Sequence, residues 1–322
     1  MGNSGPSYEK FEYESKLSYY NYYKQLKAQN MYYNQNNYQM PSPGAYYTPG
    51  NNYILCEIRI GKGRTSEKYK IINSYENYCQ TFGFEIIDDL RNEHQIKNCS
   101  IYIDDKPIQF SYETNEYTFK RPKTYKIKFV FNQPLTNCSY MFYESDHEKI
   151  DLSHFNTSYV TDMSFMFYSC SLTSNFNLTN LNTQNVHDMS FMFYNCSDVY
   201  KLDLSSFNTQ NVINMTRMFS SCSKLSTLIL TSFNTYTLRY MAYMFYNDFG
   251  LHNLDLSNFN TQNAVDMKGM FSECISLDNL NLSNFIINNT ANIEDMFKNC
   301  KAIEKKTIIA RDPTILNLIN SS

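Results

Sequence analysis

Apolar positions recur at a fixed period through residues 136–310. The dipeptide Met-Phe begins at Met141, Met166, Met192, Met218, Met244, Met270 and Met296, in one step of 25 and then steps of 26. Phe155, Leu181, Phe207, Phe233, Phe259 and Phe285 keep the same register, as do Met163, Met189, Met215, Met241 and Met267. Cysteines follow at Cys170, Cys196, Cys222, Cys274 and Cys300, with Asp248 interrupting the column. A polar column runs beside them, Asn156, Asn182, Asn208, Asn234 and Asn260, each followed by Thr. Within one unit, Leu225, Leu228, Leu230 and Phe233 predict a short strand with one buried face. Val212, Met215, Met218, Phe219 and Cys222 are spaced as one face of a short helix. Strand plus helix, repeated six to seven times, predicts an α/β solenoid whose units bury their stripes against one another. About eight apolar side chains per unit would go inside, at roughly 1.5–3 kcal/mol each before chain entropy. The Asn column would carry amides that bond the loop backbone of neighbouring turns.

The pattern changes outside the repeats. Residues 51–135 alternate as a compact β-rich domain, with strands expected at Tyr53–Ile60, Lys68–Ile72, Ser100–Ile103, Glu116–Phe119 and Tyr125–Phe131. A short helix is expected over Gly83–Arg91; this order allows a ubiquitin-like β-grasp, and a small β-sandwich fits nearly as well. Such a domain would cap the first repeat, whose apolar end is otherwise open. A strand near Thr307–Ala310 would close the other end, leaving 311–322 as a tail. Residues 1–50 are rich in Tyr, Asn, Gln and Ser, and "MPSPGAYYTPG" (Met40–Gly50) reads as a linker. Tyr13, Leu17, Tyr20 and Tyr23 have near-helical spacing within an amphipathic stretch over Tyr8–Asn30. That stretch is either a plain unstructured tail or a docking segment anchored by Tyr rings.

The line "LDLSSFNTQNVINMTRMFSSC" (Leu202–Cys222) resembles the BspA-like subtype of the leucine-rich repeats. The resemblance covers about 140–300 and implies a right-handed leucine-rich-repeat coil that binds proteins, as in bacterial surface proteins and some single-celled eukaryotes. It implies no catalytic residue and no cofactor. The chain departs from the subtype at Asp248, at Ala264 and at Ile286-Ile287. The first two predict an irregularity near the fifth turn, and the third suits a terminal repeat.

Composition narrows the function. The chain has 322 residues and a net charge of −3, which argues against general nucleic-acid binding. No apolar stretch is long enough for a membrane span, and the polar N-terminus lacks a secretory hydrophobic segment. Nine cysteines, mostly in one column, read as reduced core thiols. N-terminal lipidation is disfavoured, because the myristoylation pattern wants Ser or Thr where the chain has Pro6. The five histidines meet no metal spacing, and "GKGRTS" (Gly61–Ser66) lacks the spacing of a phosphate-binding loop.

Two surfaces are candidates for recognition. Asp203 and Asp255 lie in a polar strand column, Asp151 to Asn281, beside a column of hydroxyls. Two repeats separate them, about 10 Å. They line either a polar ligand groove or an ordinary solvated sheet face. No His or Glu joins them, so they make no hydrolase site. The second surface is aromatic: Tyr143, Phe165, Tyr168, Phe191, Tyr194, Tyr243 and Tyr246 fall off the buried stripe and should point outward. Either they contact a partner or the chain's own N-terminal region, or they simply pack against one another.

The expectation is a non-enzymatic, structural or scaffold subunit of a larger cytoplasmic assembly, the cytoskeleton for example, that docks protein partners through the aromatic N-terminal segment and the repeat surface. The alternative is an adhesion protein at a membrane surface.

Overall fold

The computed structural model describes residues 51–110, 116–171, 176–303 and 308–321, together with Leu17 and Asn21, which are helical. Tyr13, Tyr20, Tyr23 and Gly2 lie outside the described residues.

Four strands build the N-terminal sheet: β1 (Tyr53–Arg59), β3 (Cys99–Ile103), β4 (Lys106–Pro107) and β6 (Thr124–Phe131). Alternation decides which faces are buried, with Ile54, Cys56 and Ile58 inside on β1 and Ile127, Phe129 and Phe131 inside on β6. The fifth strand, β7 (Lys149–Asp151), comes from the first repeat and pairs antiparallel with β1, Cys56 opposite Ile150. The order is β4-β3-β6-β1-β7, with every neighbour antiparallel, and β2 (Lys68–Lys70) and β5 (Glu116–Thr118) pair separately.

Helix α1 spans Tyr75–Phe82, earlier than the helix expected over Gly83–Arg91. The Ser74 hydroxyl accepts the Asn77 N–H and opens it, and Gly83, at φ 70, closes it in the left-handed conformation. A second helix, α2, covers Glu93–Lys97. Buried Asn92 fastens these helices to the first repeat: its Oδ1 accepts the Tyr75 N–H and its Nδ2 donates to the Ser139 carbonyl at 2.6 Å.

The α/β solenoid is not what the chain forms. The strands of the repeat region are short: β7, β8 (Lys201–Asp203), β9 (Thr227–Ile229), β10 (Asn253–Asp255), β11 (Asn279–Leu282) and β12 (Ile308–Ala310). They fall in small separate sheets, β8-β9 and β10-β11-β12, with β7 joined to the N-terminal sheet. The half of each unit expected to be a helix is a run of turns. Residues there are left-handed at two points per repeat, as at Phe165 (φ 56) and Ser169 (φ 54), which an α-helix does not permit. The amide bonds explain why. Met166 and Tyr168 donate within the turn, to Met163 and Phe165 carbonyls, while Phe165 and Phe167 donate to Ser190 and Met192 in the next repeat. Gaps of three and four residues place side chains on one face of such turns as they would on a helix, so the stripe is buried without helix. A helix does form at the end, α3 (Pro313–Ser321), where a tail was expected.

Repeats are tied together by side-chain columns. Phe142, Phe167, Phe193, Phe219, Phe245, Phe271 and Phe297 stack nearly parallel, with centroids 5.4 to 6.0 Å apart. The Thr column makes two bonds per step: Thr209 Oγ1 donates to the Asn234 carbonyl at 2.9 Å and accepts the Asn234 N–H at 2.8 Å. The Asn column works locally, Asn208 Oδ1 accepting the Gln210 N–H two residues on. Amide bonds between repeats come instead from three residues later, Asn211 donating to the Gln184 carbonyl. Cysteine thiols donate to backbone carbonyls, Cys222 to Phe193 at 3.0 Å.

Asp248 breaks the thiol column. It is fully buried, its Oδ1 accepts the Cys222 N–H at 2.7 Å, and its Oδ2 has no partner among the described residues. Burial pushes its carboxyl well above the usual range, which favours the neutral acid. Two residues on, a Cβ at Gly250 would stand 2.8 Å from the Leu225 carbonyl oxygen, so only glycine fits this approach.

Candidate interaction surface

The positions around each Met-Phe pair form two ring columns. One runs Tyr140, Phe165, Phe191, with centroids 4.5 Å apart at each step. The other runs Tyr143, Tyr168, Tyr194, at 4.7 Å per step. Tyr140, Phe165, Phe191 and, further on, Arg217 and Tyr243 all have left-handed backbone, φ 54 to 60. That conformation aims their side chains away from the Phe column.

These rings were expected outside, and the first five are inside. Tyr143, Phe165, Tyr168 and Phe191 are at most 3% exposed and Tyr194 is 8% exposed. They share one cluster with Tyr75, Tyr78 and Cys79 of α1 and with Leu90, flanked by Phe82, Phe84, Ile86 and Ile87. Tyr78 is the centre of the contact, its ring 4.5 Å from Tyr140, 5.4 Å from Tyr143 and 6.0 Å from Phe165. The reason lies in α1, whose own aromatic face needs apolar surface. Nothing in the local pattern of residues 75–90 announced that its partner would be this ladder.

Beyond Tyr194 the ladder changes chemistry. Arg217 stands where Phe stood and Ser220 where Tyr stood. The Arg217 guanidinium lies 4.4 Å from the Tyr243 ring centre and 5.6 Å from that of Tyr246, and the two rings meet edge to face. Tyr243, Tyr246 and Arg217 are half-buried. The Arg217 Nη1 and the Ser220 hydroxyl are enclosed without a hydrogen-bond partner among the described residues. Gly269 occupies the next place in the column, and a Cβ there would collide with the Tyr243 ring. Phe249 and Ile275, one repeat apart, are each 40% exposed close by in sequence. The apolar pair was not foreseen, because both residues sit off the repeated columns.

Asp203 and Asp255 are exposed on β8 and β10. Each already has a local task, its Oδ1 accepting the N–H of Ser205 or Ser257. The Ser205 bonds hold the Asp203 carboxyl below its ordinary range. The same turn recurs at Asp151–Ser153, Asn177–Thr179 and Asn281–Ser283. The paired polar columns thus arise from one backbone motif.

Two buried acids sit behind the aromatic ladder. Asp162 and Asp188 occupy adjacent steps of a column of parallel bridges that runs from Asn137 to Asn292. Asp162 Oδ1 accepts the Ser164 N–H, and Asn214 donates to Asp188 Oδ2 at 2.9 Å. Burial first, and the neighbouring Asp188 second, raise the Asp162 carboxyl to about 7. No group of three or more metal-ligating side chains is present among the described residues. Nor, among them, is any helix long and apolar enough to cross a membrane.

A family model described as "Mycoplasma protein of unknown function, DUF285" matches residues 136–248 and again 198–310, together more than half of the chain. No curated protein and no solved structure matches.

Proposed function

The chain belongs to the DUF285 family, and on that premise we propose that it is a non-enzymatic protein-binding subunit of a larger assembly. The half-buried cluster of Arg217, Tyr243 and Tyr246 carries this reading. Arg and Tyr are the residue types that most often dominate protein interfaces, and these are held rigidly before a partner arrives. Phe249 and Ile275, close by in sequence, add exposed apolar surface. The BspA-like line Leu202–Cys222, which implies protein binding, supports the same reading. Nine free cysteines, eight of them buried, suit a reducing interior such as the cytoplasm.

The test is a native pull-down of the intact protein beside Tyr243→Ala and Arg217→Ala variants, read by quantitative mass spectrometry. A defined partner set that falls about tenfold with either variant supports the cluster as the contact. Retention of the whole set by both variants overturns it. A version lacking residues 1–50, run in parallel, reads the contribution of the Tyr-rich segment.

A further inference from the structure

The C-terminal end of the repeats holds a cavity whose chemistry differs from that of the aromatic cluster. Its volume is about 420 Å³, and it lies between the last repeats and the segment leading into α3. It is lined by Asn258, Ser283, Asn284, Ile286 and Arg311 among others. That volume suits a few residues of peptide.

Its walls are fixed by hydrogen bonds that leave acceptors and a cation over. Asn258 Nδ2 donates to the Leu230 and Phe233 carbonyls, at 2.9 and 2.8 Å. Asn284 Nδ2 donates to the Ser257 carbonyl. Because both nitrogens meet carbonyls, the orientation of each amide is determined, and each Oδ1 remains available. Asp312, which also lines the cavity, turns both of its oxygens to the backbone instead of to Arg311. Its Oδ2 accepts the Ile287 N–H at 2.9 Å and its Oδ1 accepts the Thr314 N–H at 2.8 Å. Those two bonds fasten the segment that carries Arg311 to the last repeat. Arg311 itself is exposed and makes no ion pair among the described residues. Ile286, in the cavity wall, is 50% exposed, and Ile309, two residues before Arg311, is 60% exposed.

We propose that this cavity binds an acidic segment of a protein partner, a Glu or Asp carboxylate against Arg311 with an adjoining apolar side chain on Ile286. A guanidinium with no ion-pair partner among the described residues matches a carboxylate by two parallel bonds. Uncommitted carboxamide oxygens match the peptide N–H groups on either side of it. The exposed isoleucines favour a peptide over an acidic sugar, which has no bulky apolar side chain to offer. This site is independent of the aromatic cluster.

The probe is the capped tripeptide acetyl-Leu-Glu-Leu-amide, titrated into the intact isotope-labelled protein and followed by backbone amide chemical shifts. Saturable shifts centred on Asn258, Asn284 and Arg311 are expected, weakened at least about tenfold by Arg311→Glu. Asn284→Ala serves as a second variant, with a smaller loss expected. Equal binding of acetyl-Leu-Gln-Leu-amide overturns the proposal. So does tighter binding of glucuronate than of the peptide, or no response to the Glu peptide at millimolar concentration.

Discussion

The aromatic ladder has two halves built on the same backbone. From Tyr140 to Tyr194 the rings are buried in one cluster with α1. From Arg217 to Tyr246 they are half-buried, with a guanidinium replacing one ring. Backbone dihedrals, turn bonds and the Phe column continue unchanged across the boundary. The difference therefore lies in the side chains at these positions and in what covers them. One row of repeated positions packs against α1 where it is covered, and on our proposal it serves recognition where it is half-buried.

The largest test of that contrast is Phe165→Ala. Phe165 stacks on Tyr140 and Phe191 and also meets Tyr78, at 1% exposure. Its loss should cost about 3–5 kcal/mol, read by chemical denaturation. A cost below about 1 kcal/mol would mean that the covered half does not bear stability, and the contrast would fail.

The Thr column supplies an internal control, because it runs through both halves. Thr183 bonds both the carbonyl and the N–H of Asn208, and Thr235 does the same for Asn260. Thr183→Val and Thr235→Val should each cost about 1–3 kcal/mol, because the backbone groups of Asn208 and Asn260 lose partners. Unequal losses would show that the backbone frame itself differs between the halves.

How much of this was legible in the sequence depends on which interactions repeat. The 26-residue period located the Phe, Thr and Cys columns, because each step repeats the same contact. The period could not tell helix from turns, since Val212, Met215, Met218, Phe219 and Cys222 fall on one face in either case. What separates the two is the left-handed backbone at positions such as Arg217 and Ser221, which side-chain periodicity does not record. The burial of Tyr143 and Phe165 was illegible for a different reason. It depends on Tyr78, more than sixty residues earlier, and on the capping of α1 by Ser74 and Gly83. At Asp248 the broken column was visible, but the unpartnered Oδ2 and the close approach of Gly250 appear only in three dimensions.

The acids behind the ladder sharpen the comparison through pH. Asp162, behind the covered half, is buried, and its carboxyl is raised to about 7. Asp266 holds the same place behind the open half, is half-buried and is also raised by burial, with Lys268 opposing the shift. A raised folded-state value means that the unfolded chain gives up its proton first. The contribution of Asp162 to stability is thus complete below about pH 4 and is lost as the pH rises toward 7. Asn keeps the turn, as Asn137 and Asn214 show in this column. Asp162→Asn should therefore stabilise by about 1–3 kcal/mol at pH 7 and by nearly nothing at pH 4. Asp266→Asn should show a weaker version of the same trend. Identical profiles for the two variants would mean that the cover does not set the environment of the column.

The smallest effect on stability belongs to Tyr243→Ala. Its ring has one face on Arg217 and an edge on Tyr246, and it overlies Gly269, which has no side chain to pack against it. Removing a half-buried ring and one cation–π contact should cost about 1 kcal/mol or less. The Arg217 guanidinium would keep Tyr246 at 5.6 Å and gain access to water, which limits the loss. Partner retention should respond far more strongly than the denaturation midpoint, and that divergence separates a recognition surface from a structural one. A large drop in stability would mean that Tyr243 is held like Phe165, and the two halves of the ladder would then be one.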